Sequence, residues 1–187
     1  MQTHSHEPLA YLITFPTYGT WLHGDDRGSV DRRHNVPGTV RLAADPARRE
    51  TCAARMIEPP LQLEAAQRQT VLSAILEVCR HRHWRAYAVH VRQTHVHAVV
   101  RGNAKPEKIM NDFKAYASRT LSRTASVSER PSSPTETRTK YWARHGSTRY
   151  LWTEEEVAEK IRYVRDEQGP LMAYGEWLPA ETDLPNR

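Results

Sequence analysis

Cysteine is scarce in this chain: Cys52 and Cys79 are the two in 187 residues. They form no Cys-x-x-Cys pair and have no metal-type spacing, so neither a disulfide framework nor a cysteine-ligated metal site is expected. Cys79 falls on the apolar side of a helical pattern and reads as a buried thiol. No apolar run approaches membrane-spanning length, and no apolar N-terminal stretch precedes a small-residue cleavage site. The expectation is a cytoplasmic protein with reduced cysteines and no membrane partner. Acidic residues are the minority charge, 22 against 27 Lys plus Arg, giving a net charge of +5 and a pI near 9.4. A basic balance fits an anionic partner such as nucleic acid. Arginine outnumbers lysine, and its planar fork is the better bidentate reader of phosphate. Five tryptophans and eight tyrosines offer stacking surfaces, most of them ordinary packing.

The length suits a single domain with decorations. Residues 9–15 read as a strand ended by Pro16. A long loop insertion at about 16–58 follows, holding Trp21 and Leu22 as anchors, the charged run DRRH at 31–34 and a short helical piece over 45–58. The DRRH run is either a phosphate contact or a solvated cluster. From Leu61 to about His83 apolar residues recur near the 3.6 period, which predicts a long helix. Strands are predicted at 84–92 and 95–101, joined by a tight turn at Gln93 and Thr94. A second long helix opens near Asn103, with Pro106 in its first turn and Ile109, Phe113, Tyr116 and Thr120 on one stripe. Lys114 lies off that stripe, free for solvent or a ligand. Residues 122–139 are rich in Ser, Thr and Pro and read as a flexible linker. A fourth strand at 147–152 leads to a helix at 154–167, with Thr153 and Glu156 as a capping box and Gly169 and Pro170 as its stop. Trp177 and Leu178 are possible docking residues in the tail. Strand–helix–strand–strand–helix–strand is the ferredoxin-like order. The expected fold is therefore α+β: an antiparallel sheet with helices packed on one face, the other face open to substrate or a partner subunit.

His95 and His97 lie two apart in an apolar frame. Strand side chains alternate faces, so the two imidazoles point the same way. Imidazole suits several divalent ions, but two histidines leave a coordination sphere incomplete. They are either two ligands of a metal site or buried strand histidines. Two other pairs exist: His4 and His6 in a polar tail, and His81 and His83 at the end of a predicted helix, solvated or facing phosphate.

The last helix has its core stripe at Val157, Ile161 and Val164. Tyr163 is rotated about a quarter turn from that stripe, and Glu167 follows one turn later. Tyr163 is either a boundary tyrosine with its hydroxyl in water or a nucleophile. A tyrosine hydroxyl can attack a phosphodiester, but its unperturbed pKa is near 10 and it needs help. A divalent ion on the histidines and a third oxygen or amide ligand would polarise the phosphate. Glu167 is placed to complete such a site, with Gln168 in reserve.

At His95-Val96-His97, FKAYASRTL with Lys114, YWARHGSTRYLW and KIRYVRDEQG with Tyr163, the chain resembles the IS200-like single-tyrosine transposases, including their repeat-associated relatives, over roughly residues 9–170. The run Arg92, Gln93, Thr94 stands where that family commonly has Met-Pro-Asp, and Glu167 where it commonly has Gln or Asn. The resemblance implies a Mg²⁺- or Mn²⁺-dependent single-stranded DNA endonuclease and strand transferase. Its Tyr163 would form a 5′-phosphotyrosine, and His95, His97 and Glu167 or Gln168 would hold the ion. It also implies a homodimer acting at DNA hairpin ends, the tyrosine helix placed in some members against the partner's histidines. Lys114, Arg119, Arg123, Arg144 and Arg149 are candidate DNA-backbone contacts, which carry affinity more than sequence choice. Alternatives are a domesticated endonuclease acting on chromosomal repeats, a non-catalytic nucleic-acid-binding module, or a structural histidine pair.

Overall fold

The computed structural model describes residues 7–29, 42–124, 140–169 and 173–175. His4 and His6, the DRRH run, most of the expected linker, and Trp177 and Leu178 lie outside them. In order the elements are β1 (Ala10–Pro16), α1 (Pro46–Ala54), α2 (Ala65–Arg82), β2 (Arg85–Val91), β3 (His95–Arg101), α3 (Pro106–Thr124), β4 (Ser147–Leu151), α4 (Glu154–Asp166) and β5 (Ala173–Gly175). The strands form one antiparallel sheet in the order β4-β1-β3-β2-β5. The chain is thus an α+β protein with helices packed against a five-stranded antiparallel sheet.

Local chemistry accounts for most boundaries. The Asp45 side chain accepts the Arg48 N–H at the start of α1, with Pro46 in the first turn, where a missing donor costs nothing. Gln67 reaches back to accept the Glu64 N–H ahead of α2. His83 ends α2 in the left-handed region at φ 57°. It and His81 are solvent-exposed. Thr153 caps α4 by accepting the Glu156 N–H, while the Glu156 carboxylate accepts the Trp152 N–H. Residues 122–124, expected in the linker, continue α3 for another turn. β5 was not foreseen. It is three residues long and pairs with β2 from His90 to Ala88. Among the described residues no helix is long and apolar enough to cross a membrane.

The alternation within each strand splits the core in two. Ile13, Phe15, Val89, Val91, Val96, Ala98 and Val100 meet the apolar sides of α2 and α3, including Ile75, Val78, Ile109 and Phe113. Cys79 is buried there, and desolvation pushes its thiol up to about 12. The opposite sheet face is not open, which corrects the expectation of helices on one face. Ala10, Tyr87, Ala88, Val99 and Leu151 form a second cluster with Val157, Ile161 and Val164 of α4. Two residues separate β4 from α4. A helix with an apolar stripe on so short a tether must bury it on the nearest apolar surface, and the free face of the sheet supplies one.

The segment after β1 is tied to the β2–β3 hairpin. Thr17 N–H and the Thr20 hydroxyl both donate to the Thr94 carbonyl, at 2.8 and 3.1 Å. Thr17 Oγ1 lies 2.7 Å from Leu61 O. Leu63 N–H donates to Gln93 O. The hairpin itself closes through Arg92 N–H to His95 O at 2.8 Å.

Candidate active site

β3 carries His95 and His97 on the α4 side of the sheet, at the end nearest the hairpin. Their ring centroids are 4.7 Å apart. Each Nδ1 meets a threonine hydroxyl. Thr14, the register partner of His97 on β1, places Oγ1 2.8 Å from His97 Nδ1. Thr94 places Oγ1 3.0 Å from His95 Nδ1. A hydroxyl on Nδ1 fixes the ring plane and directs Nε2 toward a ligand. Thr94 stands where the resembled family commonly has Asp, and here the hydroxyl orients the first histidine.

A third histidine belongs to this group. His90 lies opposite His97 in the β2–β3 register and is 1% exposed. The sequence reading missed it, although a turn centred on Gln93 and Thr94 pairs residue 90 with residue 97 by counting. Burial is the first cause that holds the His95 and His97 imidazoles neutral. His95 is lowered to about 4, with Arg92, Arg27 and His90 adding to desolvation. His97 is lowered to about 3 by desolvation, then His95, His90 and Arg92. Neutral imidazoles keep the lone pair that a cation needs. Arg27, from the loop after β1, was also missed. No periodicity links it to a strand 68 positions on, and the loop's ties to Thr94 bring it there. It forms an ion pair with Asp25 at 2.7 Å and sits 4.9 Å from the Trp21 ring centroid.

α4 brings Tyr163 to the same place. Its half-buried ring lies 5.7 Å from that of His97, edge to face at 75°. Lys160 Nζ lies 5.7 Å from the Tyr163 ring centroid. The C-cap Glu167 is exposed, and no carboxylate is among the causes acting on His95 or His97. Gln168 is 8% exposed. Gly169, at φ 83°, follows it beside the hairpin: a Cβ there would stand 3.9 Å from Arg92 Nη2. Among the described residues, no three or more His, Cys, Asp or Glu side chains gather as a metal site. The donors the structure brings together are two neutral, hydroxyl-oriented imidazoles. Neutral imidazole suits several divalent ions, and two such rings supply part of a coordination sphere.

Lys114 is elsewhere. Rather than facing solvent or a ligand, it is buried on the α2–α3 side, 9% exposed. Its ammonium donates to the carbonyls of Ala143 at 2.9 Å and His145 at 3.2 Å, with Arg144 O at 3.5 Å, and lies 5.5 Å from the Phe15 ring centroid. Burial lowers it to about 8. The methylene stem completes the apolar side of α3 while the head binds the strand-entry loop. Arg119 stacks over Tyr116 at 4.4 Å, and Arg149 pairs with Glu156 at 3.3 Å. Arg123 and Arg144 are exposed.

The sheet and its alternating faces define an α+β protein with a candidate site at its histidine end. Residues 61–145 match the family "Transposase IS200 like". The match covers 85 of the chain's 187 residues, 61 to 145 inclusive. The matched segment contains His95, His97 and Lys114 and ends before α4. No curated protein matches the chain. Among solved structures, a REP-associated tyrosine transposase bound to a REP hairpin aligns at 11% identity over 88% of this chain and 70% of that one, with a TM-score of 0.44. A Deinococcus radiodurans R1 protein described as a transposase aligns at 11% identity over 88% and 94%, with a TM-score of 0.43.

Proposed function

We propose that this protein nicks and rejoins single-stranded DNA as a transposase, with Tyr163 as nucleophile. The observation that carries the reading is the 5.7 Å contact between the Tyr163 and His97 rings within one chain. The phenol oxygen attacks the scissile phosphorus and the bond to the 3′-oxygen breaks. A 5′-phosphotyrosine and a free 3′-OH remain, ready for strand transfer. A Mg²⁺ or Mn²⁺ ion on His95, His97 and Gln168, with Glu167 as the alternative third ligand, would polarise the phosphate when bound. Thr14 and Thr94 orient the imidazoles. Arg92 and Arg27 add positive charge beside them, where a phosphate would sit. The ring contact supports a site assembled in cis, and a homodimer acting on DNA hairpin ends remains part of the reading. The strand order β4-β1-β3-β2 supports a ferredoxin-like description, with β5 added beside β2.

The test is a labelled single-stranded hairpin DNA incubated with the protein and Mg²⁺ or Mn²⁺, then run on a denaturing gel. A covalent protein–DNA band is expected, absent in Tyr163→Phe and in His97→Ala. A band that survives Tyr163→Phe overturns the assignment of the nucleophile.

A further inference from the structure

α4 sets one cation against the phenol. Lys160 stands one turn before Tyr163, and residues three apart share a helix flank. Its Nζ lies 5.7 Å from the Tyr163 ring centroid. The helix orders its charges along its length: Glu154, Glu155, Glu156 and Glu159 come first, then Lys160, Arg162 and Arg165. The helix dipole accounts for that order. It does not account for the packing of Lys160, whose side chain is 15% exposed, against 56% for Glu159 and 41% for Arg165. The lysine stem is laid against the protein, and its head is brought to the edge of the Tyr163 ring.

The head is held by Glu159 Oε1 at 2.7 Å. Successive helix residues do not face each other, and an ion pair to an exposed carboxylate is weak and screened by salt. A phosphate oxygen arriving at Tyr163 can displace it. The charge of Lys160 is not among those acting on His95 or His97, whereas Arg92 acts on both and Arg27 on His95. The phenol thus stands between two sources of positive charge: guanidinium groups on the hairpin side and one ammonium on the α4 side.

We propose that Lys160 is a catalytic residue whose ammonium leaves Glu159 and binds a non-bridging oxygen of the phosphate attacked by Tyr163; the proposal rests on the single-stranded DNA reading above. In that reaction the phenol oxygen bonds to phosphorus and the bond to the 3′-oxygen breaks. The phenol proton passes to solvent, and the leaving oxygen takes one from solvent. Lys160 keeps all its protons, so its part is electrostatic. The non-bridging oxygens gain negative charge as the phenol adds, and a cation already held beside the ring meets that charge without reorganisation. After the transfer, the same contact holds the phosphotyrosine still for attack by a 3′-OH.

Two variants of the full chain test this. Lys160→Met keeps the packed stem and removes the charge, and Lys160→Arg returns the charge. Single-turnover adduct formation on the labelled hairpin DNA with Mn²⁺ should slow on the order of a hundredfold in Lys160→Met, and Lys160→Arg should recover about tenfold of that or more. Fluorescence anisotropy with the same DNA and no divalent ion reads the contact without any cleavage. There the slope of log affinity against log salt should be shallower by about 0.7 in Lys160→Met and unchanged in Lys160→Arg. A lysine with only a structural role would leave that slope as it was. An unchanged slope in Lys160→Met overturns the proposal, as does an adduct rate within about threefold of the native rate, or a loss that Lys160→Arg does not recover. If the native chain forms no adduct on any DNA, the transposase reading falls, and the salt slope alone decides whether Lys160 meets a phosphate.

Discussion

On the α2–α3 face of the sheet, β3 presents Val96, Ala98 and Val100 to two long helices; on the α4 face the same strand presents His95, His97 and Val99. The first face is closed along its length by Phe15, Phe113, Ile13, Ile75 and Ile109, all fully buried. Lys114, the one buried lysine or arginine among the described residues, spends its protons on loop carbonyls. The second face is apolar only toward Ala10 and Leu151. At Thr14 and the histidines it turns polar, and Tyr163 packs at that boundary. At that end the buried His90 and His97 and the half-buried His95 and Tyr163 stand together, so polar side chains gather where the apolar cluster stops. Stability is concentrated on one side of the strands and candidate chemistry on the other.

A matched pair of substitutions probes that division most sharply. His97→Ala should lower covalent adduct formation on the order of a thousandfold or more. Phe113→Ala should cost about 3–5 kcal/mol, a Tm drop of roughly 6–20 °C for a chain this size, with adduct yield per folded molecule unchanged. If the two effects swap, the histidines are structural and the division is wrong. Lys114→Met keeps the stem and removes the donor. It should cost about 1–3 kcal/mol by thermal or urea denaturation, and leave DNA affinity within about twofold. A large loss of DNA binding at unchanged stability would restore Lys114 as a phosphate contact.

Smaller effects separate the candidate third ligands. Gln168→Ala should weaken Mn²⁺ binding by calorimetry about tenfold, and Glu167→Ala within about twofold; the opposite ranking would move the ligand to the exposed carboxylate. The smallest expected effect is in pH. His95 and His97 titrate near 4 and 3 when folded, below the ordinary 6.5, so between about pH 6.5 and 4 the unfolded chain binds more protons. Stability should therefore fall as pH drops through that window, by roughly 3 °C or more in Tm between pH 7 and 5, and the fall should shrink in His97→Ala. A Tm that is flat over this range would show that the rings are not desolvated.

Much of the fold could be read along the chain. The strand at 95–101, the stripe Val157, Ile161, Val164 and the Thr153 cap all rest on interactions within a few residues. The side on which α4 packs does not, because an apolar stripe states that it must be buried and not against what. Lys114 was misplaced for a related reason: periodicity sorts whole side chains as apolar or polar, whereas a lysine stem packs as one and its head bonds as the other. Of the candidate site, the histidine pair and the tyrosine were legible one at a time.

The amino-acid order by itself determined that two imidazoles share a strand face, that a tyrosine stands beside the apolar stripe of the last helix, and that the elements alternate as an α+β chain. Tertiary structure alone decided that α4 crosses the sheet to set Tyr163 against His97, that Thr14 and Thr94 hold the rings, and that His90 and Arg27 join them. Periodicity constrains neighbours a few residues apart. Contacts between residues far apart in the chain depend on how strands register and which faces remain to be buried, and those are properties of the assembled sheet.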